Sequence, residues 1–355
     1  MKEHTFTQKI WTQASIGFAA TSCLMLTACQ PLTSSTNRGD SRVQITRETY
    51  HGWKDAIRVR NGKAFIIVVP SIGRVMQFGT DNDEGVLWEN TFLYGKSQEL
   101  NATEWTNYGG DKTWPSPEGE WGKHTGNKQW RPPIGFDGMP AEATVEGDTV
   151  ILRHAADPSY GITAIRRIQL DPKEAKMLIN TTYEVTRPDP IKVGIWVITQ
   201  LKEPERLFVP VPKTAKSYVN LGAKLPPDLK VDNVVVTKVG GGLMIQGEAP
   251  VLGLSRNKLD PYKIGTEASS LLWVGPKQML RIDSTRVPGG EYPDKGSSAE
   301  IYTNPDPLQY IELEMLGPLQ TVKQNQSISR VNIYTLLPRT LPTPEAEARK
   351  IFGVR

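Results

Sequence analysis

From Val43 onward, apolar and polar residues alternate with a period near two, which is typical of β-strands rather than helices. Turn residues such as Asn61-Gly62 and Gly240-Gly-Gly242 separate the alternating segments. We therefore predict an all-β fold, a large antiparallel sandwich. The predicted strands are Ala56–Arg60, Ala64–Val69, Gly73–Phe78, Thr149–Arg153, Ile162–Leu170, Met177–Val185, Val193–Thr199, Asn233–Val239, Leu271–Val274, Leu280–Asp283, Gln309–Met315 and Ser327–Leu336.

The one segment with clear helix signals lies at the C-terminal end of the chain. Thr343 can cap a helix, Pro344 suits its first position, and Glu345 and Glu347 favour the positive end of the helix dipole. Because no segment between residues 43 and 340 resembles a linker, we predict one sandwich domain over 43–340 and a helical tail over 341–355.

The N-terminal segment has the pattern of a secretory signal peptide, predicted over residues 1–28. Ala14 to Leu26 is a short, mostly apolar stretch after a polar start, which is too short to span a bilayer comfortably. Leu26-Thr27-Ala28-Cys29 resembles the bacterial lipobox, in which the cysteine is acylated. The alternatives are a plain secretory signal, or an N-terminal anchor with a chance cysteine.

The two cysteines fit the lipoprotein interpretation. Cys23 would leave with the signal peptide and Cys29 would carry lipid, so the mature domain would contain no thiol. Gln30 rather than Asp follows Cys29, which favours the outer membrane, with the domain facing the periplasm. Residues 29–42 are small and polar and are predicted to form a flexible tether.

Composition excludes several classes of function. The 355 residues include 42 basic and 38 acidic side chains, with a net charge of +4 and no dense basic run, so we predict no nucleic-acid partner. Asp81–Gly85 is similar to the start of a calcium loop, but position twelve of that loop would be Phe92 instead of glutamate. We predict neither a metal site nor a cofactor, since no nucleotide or metal motif is present.

The most unusual segment runs from Glu104 to Pro140. It contains Trp105, Trp114, Trp121 and Trp130, and it has no clear hydrophobic period. We predict a long ordered loop, because long loops in compact domains are uncommon unless they are functional. Indole faces beside charged groups are typical of sugar-binding sites. The alternative is that the tryptophans only close one end of the sandwich.

Tyr108-Gly-Gly-Asp-Lys-Thr-Trp-Pro-Ser-Pro-Glu118, with Trp130-Arg-Pro-Pro133, resembles the signature of the DUF4380 family of uncharacterised bacterial proteins. Pro70-Ser-Ile-Gly-Arg-Val75 resembles a strand of the aldose 1-epimerases, and Tyr310–Pro318 resembles their late strand with an acidic residue. This resemblance covers roughly residues 50–340. It implies the galactose-mutarotase-like antiparallel supersandwich, whose members bind sugars across a broad sheet, but it implies no specific reaction.

Mutarotase chemistry would need a base for the anomeric hydroxyl and an acid for the ring oxygen. The resemblance makes Glu314 the candidate base and Glu312 the second choice, since residues two apart on a strand share a face. His124 is the candidate acid, because it is the histidine inside the tryptophan segment. Asp111 or Lys112 could replace it.

The remaining candidates are substrate-binding residues. Arg74 matches the arginine of the epimerase strand, and we expect it either to bind a sugar hydroxyl or to pair with a glutamate. We expect His51 to be structural or solvated, and His154, at the end of a strand, to be a surface residue. The expected tryptophan platform and its polar contacts are Trp114, Trp121, Trp130, Arg74, Asp111, Lys112, Glu118 and Glu314.

Three functions stay open at the level of sequence. The first is a lipid-anchored envelope protein that binds a carbohydrate and carries out epimerase-like acid/base chemistry on it. The second is a non-catalytic glycan-binding or scaffolding lipoprotein. The third is a structural envelope protein with a filled cleft. An enzyme needs two proton-transfer groups at one pocket, a binding protein needs the aromatic surface, and a structural protein would bury its tryptophans.

Overall fold

The computed structural model describes residues 43–98, 105–210 and 251–353, together with the backbone of three strands between 210 and 251. The predicted signal peptide, Cys29 and the tether over residues 29–42 lie outside the described residues, as do Glu104 and the last two residues of the predicted tail. None of the described helices has the length and apolar character that crossing a membrane requires.

The described chain contains 22 strands, which in chain order are β1 (Gln44–Tyr50), β2 (Trp53–Arg60), β3 (Ala64–Val69), β4 (Arg74–Thr80), β5 (Asp111–Ser116), β6 (Ala141–Glu146), β7 (Thr149–His154), β8 (Ile162–Leu170), β9 (Lys176–Val185), β10 (Ile191–Lys202), β11 (Arg206–Pro210), β12 (Lys216–Val219), β13 (Val234–Val239), β14 (Gly242–Gly247), β15 (Val251–Leu254), β16 (Tyr262–Thr266), β17 (Ser270–Val274), β18 (Gln278–Asp283), β19 (Ala299–Thr303), β20 (Tyr310–Leu316), β21 (Gln320–Val322) and β22 (Ser327–Pro338).

These strands form two antiparallel sheets. In the first sheet the order is β1-β2-β3-β4-β5-β10-β20-β19-β16-β12-β14-β13, and β21 pairs with one end of β10. In the second sheet the order is β15-β11-β17-β18-β22-β9-β8-β7-β6. The prediction of an all-β antiparallel sandwich is confirmed.

The main core lies between the two sheets. It joins Ile57 and Leu313 of the first sheet to Leu152, Ile179 and Leu280 of the second. Along β9 and β22 every second residue is buried, which matches the period of two in the sequence. The sheets are therefore held together mainly by burial of these alternating apolar side chains.

The structure corrects the expectation that residues 104–140 form one long loop. The segment contains β5, inserted between β4 and β10, and then a short helix α1 (Trp121–Thr125). All six residues of β5 are buried, including Asp111 and Lys112. Both faces of this strand are covered and several of its residues are polar, so the sequence lacks the alternation that marks the other strands.

The remaining helices are short except at the C-terminal end. Four 3-10 turns occur at Pro70–Ile72, Thr91–Leu93, Glu118–Glu120 and Ile134–Phe136, and α2 (Pro293–Gly296) is a single distorted turn. The predicted C-terminal helix is present as α3 (Pro344–Phe352). The Thr343 hydroxyl accepts a hydrogen bond from the Ala346 amide, so the expected cap is confirmed.

Candidate functional site

The face of the first sheet that points away from the second sheet carries the polar candidates. Ile311 and Leu313 of β20 belong to the core between the sheets. Glu312 and Glu314 alternate with them and therefore lie on the opposite face, which we call the outer face.

Cross-strand pairing extends this outer face over the neighbouring strands. Gln200, Glu312, Tyr302 and Lys263 are successive partners on β10, β20, β19 and β16, so their side chains share one face. A second row beside this one consists of Lys112, Ile198, Glu314 and Glu300. A third row consists of Trp114, Trp196 and Leu316.

A cavity of about 560 Å³ opens on the outer face, and we call it the aromatic pocket. Six aromatic side chains and four ionisable ones contribute to its wall, and Gly119 completes it. The lining residues are Trp105, Trp114, Trp130, Trp196, Tyr302, Tyr310, Glu118, Lys263, Asp294, Glu312 and Gly119. Its volume lies in the range that holds a small organic ligand.

Five tryptophans form a contiguous cluster around this pocket. Trp114 lies at its centre, with ring centroids 5.3 to 6.1 Å from Trp105, Trp121, Trp130 and Trp196. Trp130 is 53% exposed, whereas Trp121 is buried behind Trp114 and does not line the pocket. Trp121 therefore supports the aromatic surface from beneath, while Trp130 presents a ring to solvent.

Hydrogen bonds fix the orientation of several indole rings. Trp196 Nε1 donates to Glu314 Oε2 over 2.8 Å, and Trp130 Nε1 donates to the carboxylate of Glu118. Trp121 Nε1 donates to the carbonyl of Pro115 over 2.7 Å. The rings are thus held in place before any ligand arrives, which reduces the entropy lost on binding.

Lys112 lies beneath the tryptophans and close to the pocket wall. Its Nζ is 4.4 Å from the ring centre of Trp114 and 5.0 Å from that of Trp105, within the range of cation–π attraction. Nζ is also 3.9 Å from Glu312 Oε1. Burial lowers the pKa of Lys112 to about 8, although the charge of Glu312 acts in the opposite direction.

Glu314 takes part in a buried charge cluster under the pocket. Lys263 Nζ lies 2.9 Å from Glu314 Oε2 and 2.9 Å from Glu300 Oε2. Burial raises the pKa of Glu314 well above its usual range, and it raises that of Glu300 to about 7. Burial works against the charge of Lys263, but the two carboxylates keep its pKa above the usual value. One ammonium faces two carboxyl groups here, so this cluster favours holding an extra proton.

Arg74 is buried and makes its contacts within the protein. Its guanidinium donates to the carboxylate of Asp137 and, over 2.8 Å, to the carbonyl of Gly109. The other oxygen of Asp137 accepts a hydrogen bond from Trp105 Nε1. The expected pairing of Arg74 with a glutamate is therefore replaced by pairing with Asp137, and through it Arg74 orients a tryptophan of the pocket.

Asp111 and Lys112 are neighbours on a strand, so they point to opposite faces of the sheet. Asp111 is fully buried between the two sheets, where it pairs with Arg166 of the second sheet. Its Oδ2 accepts hydrogen bonds from the Thr199 and Tyr334 hydroxyls, over 2.6 and 2.7 Å. The structure thus corrects the expectation that Asp111 contacts a sugar: the residue joins the sheets.

The three histidines of the described residues lie outside the aromatic pocket. His124, expected to be the acid, packs on Tyr160 with ring centroids 4.4 Å apart, and burial lowers its pKa. His154 is buried, which corrects the expectation of a solvated residue, and burial lowers its pKa to about 4. His51 stacks on Tyr94 at 3.9 Å. Among the described residues, no group of three or more potential ligands is arranged to hold a metal ion.

The structure therefore brings Trp114, Trp130, Glu118 and Glu312 into the pocket wall and places Lys112 behind it. Several lining residues are not among the sequence candidates: Trp105, Trp196, Lys263, Asp294, Tyr302 and Tyr310. Tyr310 could have been found from the sequence, since it shares the strand and the face of Glu312 and Glu314. Trp196 and Lys263 could not, because their strands join the site only through the sheet order.

A scan against protein-family models matches residues 55–337 to DUF4380, a domain of unknown function. The chain belongs to the DUF4380 family. A search of the curated proteins finds no match for this DUF4380 protein.

Among solved structures, the DUF4380 fold is similar to a TPR-domain containing protein from Parabacteroides distasonis, with 12% identity and a TM-score of 0.53 over 81% of this chain. The chain spans about half of that protein, 48% of its length.

Two further structures are matched over nearly their whole length. The Slr1438 protein from Synechocystis sp. PCC 6803 has 11% identity and a TM-score of 0.52, over 80% of this chain and 96% of that one. YeaD from Salmonella typhimurium, named as a candidate mutarotase, has 9% identity and a TM-score of 0.51, over 83% and 94%. These similarities confirm the expected galactose-mutarotase-like sandwich and concern the fold alone.

Proposed function

We propose that this DUF4380 protein binds a carbohydrate in the aromatic pocket. The observation that carries the proposal is the lining itself, in which six aromatic rings surround one cavity together with Glu118, Glu312, Asp294 and Lys263. A sugar presents an apolar C–H face, which stacks on an aromatic ring, and hydroxyl groups, which bond to charged side chains. The galactose-mutarotase-like fold agrees with a carbohydrate-related function.

The exposed ring of Trp130 offers a direct test. We expect Trp130→Ala to weaken sugar binding roughly 10-fold, because it removes one stacking surface. Saturation-transfer NMR titrations would use the full-length protein with glucose, galactose and di- to hexasaccharides of β-1,4-glucan, β-1,4-xylan, α-1,4-glucan and chitin. Phe92→Ala is the matched control, since Phe92 is 80% exposed and does not line the pocket. Absence of saturation transfer across this panel would contradict the proposal.

Lys112 and Glu312 support a second function, acid/base chemistry on the bound sugar. With a pKa of about 8, Lys112 can exchange a proton near neutral pH, and it lies 3.9 Å from Glu312 of the pocket wall. In an epimerase-like reaction Glu312 would accept the anomeric hydroxyl proton and pass it to Lys112 behind the wall, while the Lys263 ammonium, which lines the pocket, protonates the ring oxygen. The ring then opens, rotates and recloses as the protons return. Glu314 is less suited to be the base, because it already binds Lys263 and Trp196.

The same NMR samples separate binding from catalysis. Catalysis would accelerate the exchange between the anomers of glucose or galactose, and Glu312→Gln would abolish the acceleration. Exchange at the uncatalysed rate, with saturation transfer retained, would contradict the second function and leave a non-catalytic glycan-binding protein. The position of His124 outside the pocket favours this non-catalytic alternative.

The third part of the proposal concerns location. The lipobox-like sequence Leu26–Cys29 supports anchoring to the outer membrane through lipid on Cys29, with the domain facing the periplasm. In bacterial cells we expect labelled palmitate to be incorporated into the wild-type protein and to be lost in Cys29→Ala. Cys23→Ala is the matched control and should retain the label. Labelled Cys29→Ala protein would contradict the lipid attachment at this residue.

A further inference from the structure

A second, larger cavity opens on the same sheet, beyond the residues assigned to the aromatic pocket. It has a volume of about 720 Å³. Its wall combines aromatic and charged side chains, namely Tyr50, His51, Phe65, Trp88, Tyr94, Arg58, Arg60, Gln77, Asp81, Asp83, Glu84, Glu89, Thr91 and Lys202. We call it the N-terminal cavity.

The N-terminal cavity lies on the outer face, as the aromatic pocket does. Ile66 of β3 and Phe78 of β4 belong to the core between the sheets, so their neighbours Phe65 and Gln77 point to the outer face. Lys202 alternates in the same way with Leu201, which is part of the core. The two cavities therefore open on one surface of the first sheet.

A pair of tilted aromatic rings in close contact lies between the two cavities. Trp88 lines the N-terminal cavity and Tyr310 lines the aromatic pocket, and their ring centroids are 4.7 Å apart. Lys202 of the N-terminal cavity is also the cross-strand partner of Tyr310. The two cavities are therefore neighbours, and the Trp88 and Tyr310 rings form the wall between them.

The charges of the N-terminal cavity are largely satisfied within the protein. Asp81 pairs with Arg60 at 3.1 Å, and Glu84 lies 3.7 Å from Lys202. Such a lining has little net charge left to attract an ion, and it suits a neutral, hydroxyl-rich ligand.

Glu89 and its aromatic neighbours form one part of the wall of this cavity. The Tyr50 hydroxyl lies 3.0 Å from Glu89 Oε1, and the Tyr94 hydroxyl donates to Oε2 over 3.2 Å. The His51 ring stacks on Tyr94 with parallel planes. Burial also raises the pKa of Glu89 to about 7. Both cavities therefore present a carboxyl group that is held by hydrogen bonds beside aromatic rings, Glu89 here and Glu118 in the aromatic pocket.

We infer that the two cavities are neighbouring subsites for one oligosaccharide chain, which crosses the Trp88–Tyr310 wall. This inference rests on the proposed function, and it makes the ligand a neutral glycan instead of a free aldose. Each cavity alone has the volume of a small-ligand site, so a chain of several linked sugars is needed to fill both. Linked sugars in both subsites would bind more tightly than either part, because the second contact becomes intramolecular.

The test is the dependence of affinity on ligand length, measured by isothermal titration calorimetry on the full-length protein. The probes are the disaccharides and hexasaccharides of the β-1,4-glucan, β-1,4-xylan, α-1,4-glucan and chitin series. In at least one series we expect the hexasaccharide to bind at least about 10-fold more tightly than the disaccharide. Glu89→Gln and Tyr94→Ala should remove this gain and leave disaccharide affinity within about twofold, because neither residue lines the aromatic pocket. Phe92 lies between Glu89 and Tyr94 in the sequence, on an exposed turn. Phe92→Ala is therefore the control, and it should keep the higher affinity for the hexasaccharide.

The outcomes separate this inference from the proposed function. Equal affinities for disaccharide and hexasaccharide, or a gain that survives in both Glu89→Gln and Tyr94→Ala, would overturn the second subsite and leave the aromatic pocket as a binding site. Absence of binding by every probe would contradict both. If one of the two variants fails to fold, the other still tests the second subsite, because Glu89→Gln changes only a carboxyl group and Tyr94→Ala removes a ring.

Discussion

Replacing Asp111 with alanine is expected to lower the free energy of unfolding by about 3–5 kcal/mol. Asp111 is fully buried between the sheets and pairs with Arg166, which is fully buried as well. Its removal leaves a guanidinium without a counter-charge in the core, and the Thr199 and Tyr334 hydroxyls lose their acceptor. Urea denaturation monitored by tryptophan fluorescence measures this loss, which is a large part of the stability of a typical domain.

Two controls separate the ion pair from a general sensitivity of the fold. Asp189→Ala removes an exposed carboxylate from a turn and should change the free energy of unfolding by less than about 0.5 kcal/mol. The double variant Asp111→Leu/Arg166→Met removes both charges and should recover much of the loss, since the isolated buried charge is the main cost. A single variant as stable as the wild type would show that Asp111 does not hold the sheets together.

The strands of the sandwich can be predicted where their apolar pattern is uninterrupted, either as a continuous buried run or as an alternation with polar positions. β3 and β8 begin and end at the predicted residues. β9 and β22 show the predicted alternation, and their bounds differ from the predicted ones by at most two residues. All four strands border the main core, and along β9 and β22 burial and sequence pattern have the same period.

The strands that build the outer face are harder to predict from the sequence. β5 carries Asp111 and Lys112 in buried positions, and β16 and β19 carry Lys263 and Glu300 there. Charged residues at buried positions interrupt the apolar pattern, so the pattern predicts none of these three strands. The interruption is itself related to the site, because Lys112 lies beneath its tryptophans and Lys263 and Glu300 belong to its charge cluster.

The site can be predicted only in part, because alternation determines a face but not which strands are neighbours. Alternation applied to β5 separates Asp111 from Lys112, but the weak apolar pattern of the segment favours a loop. The tryptophans indicate the correct region, and the resemblance to the epimerases places Glu312 on the late strand. Trp196 and Lys263 join the pocket through pairing between segments that are far apart in sequence, and no local pattern contains that information.

Glu89→Gln is expected to stabilise the protein at pH 8 and to have little effect at pH 5. Burial raises the pKa of Glu89 from 4.5 to about 7, so the folded state favours the protonated carboxyl group. Stability from this group is present below pH 4.5 and is lost as the pH rises through about 7, because the unfolded chain releases the proton first. The pKa change corresponds to roughly 3 kcal/mol at pH 8. Glutamine is neutral at every pH and retains one acceptor for the phenols, so we expect a gain of about 2 kcal/mol at pH 8.

Urea denaturation of wild type and variant at both pH values measures this difference and cancels the contributions of Glu300 and Glu314, which are common to both proteins. Glu84→Gln is the matched control, because its side chain is 92% exposed in the same cavity and should change stability by less than about 0.5 kcal/mol at either pH. An equal change at pH 5 and pH 8 for Glu89→Gln would mean that Glu89 is already ionised at the lower pH. A gain confined to pH 8 means that the cavity holds a protonated carboxyl group at mildly acidic pH. Such a group can donate a hydrogen bond to a ligand hydroxyl as well as accept one.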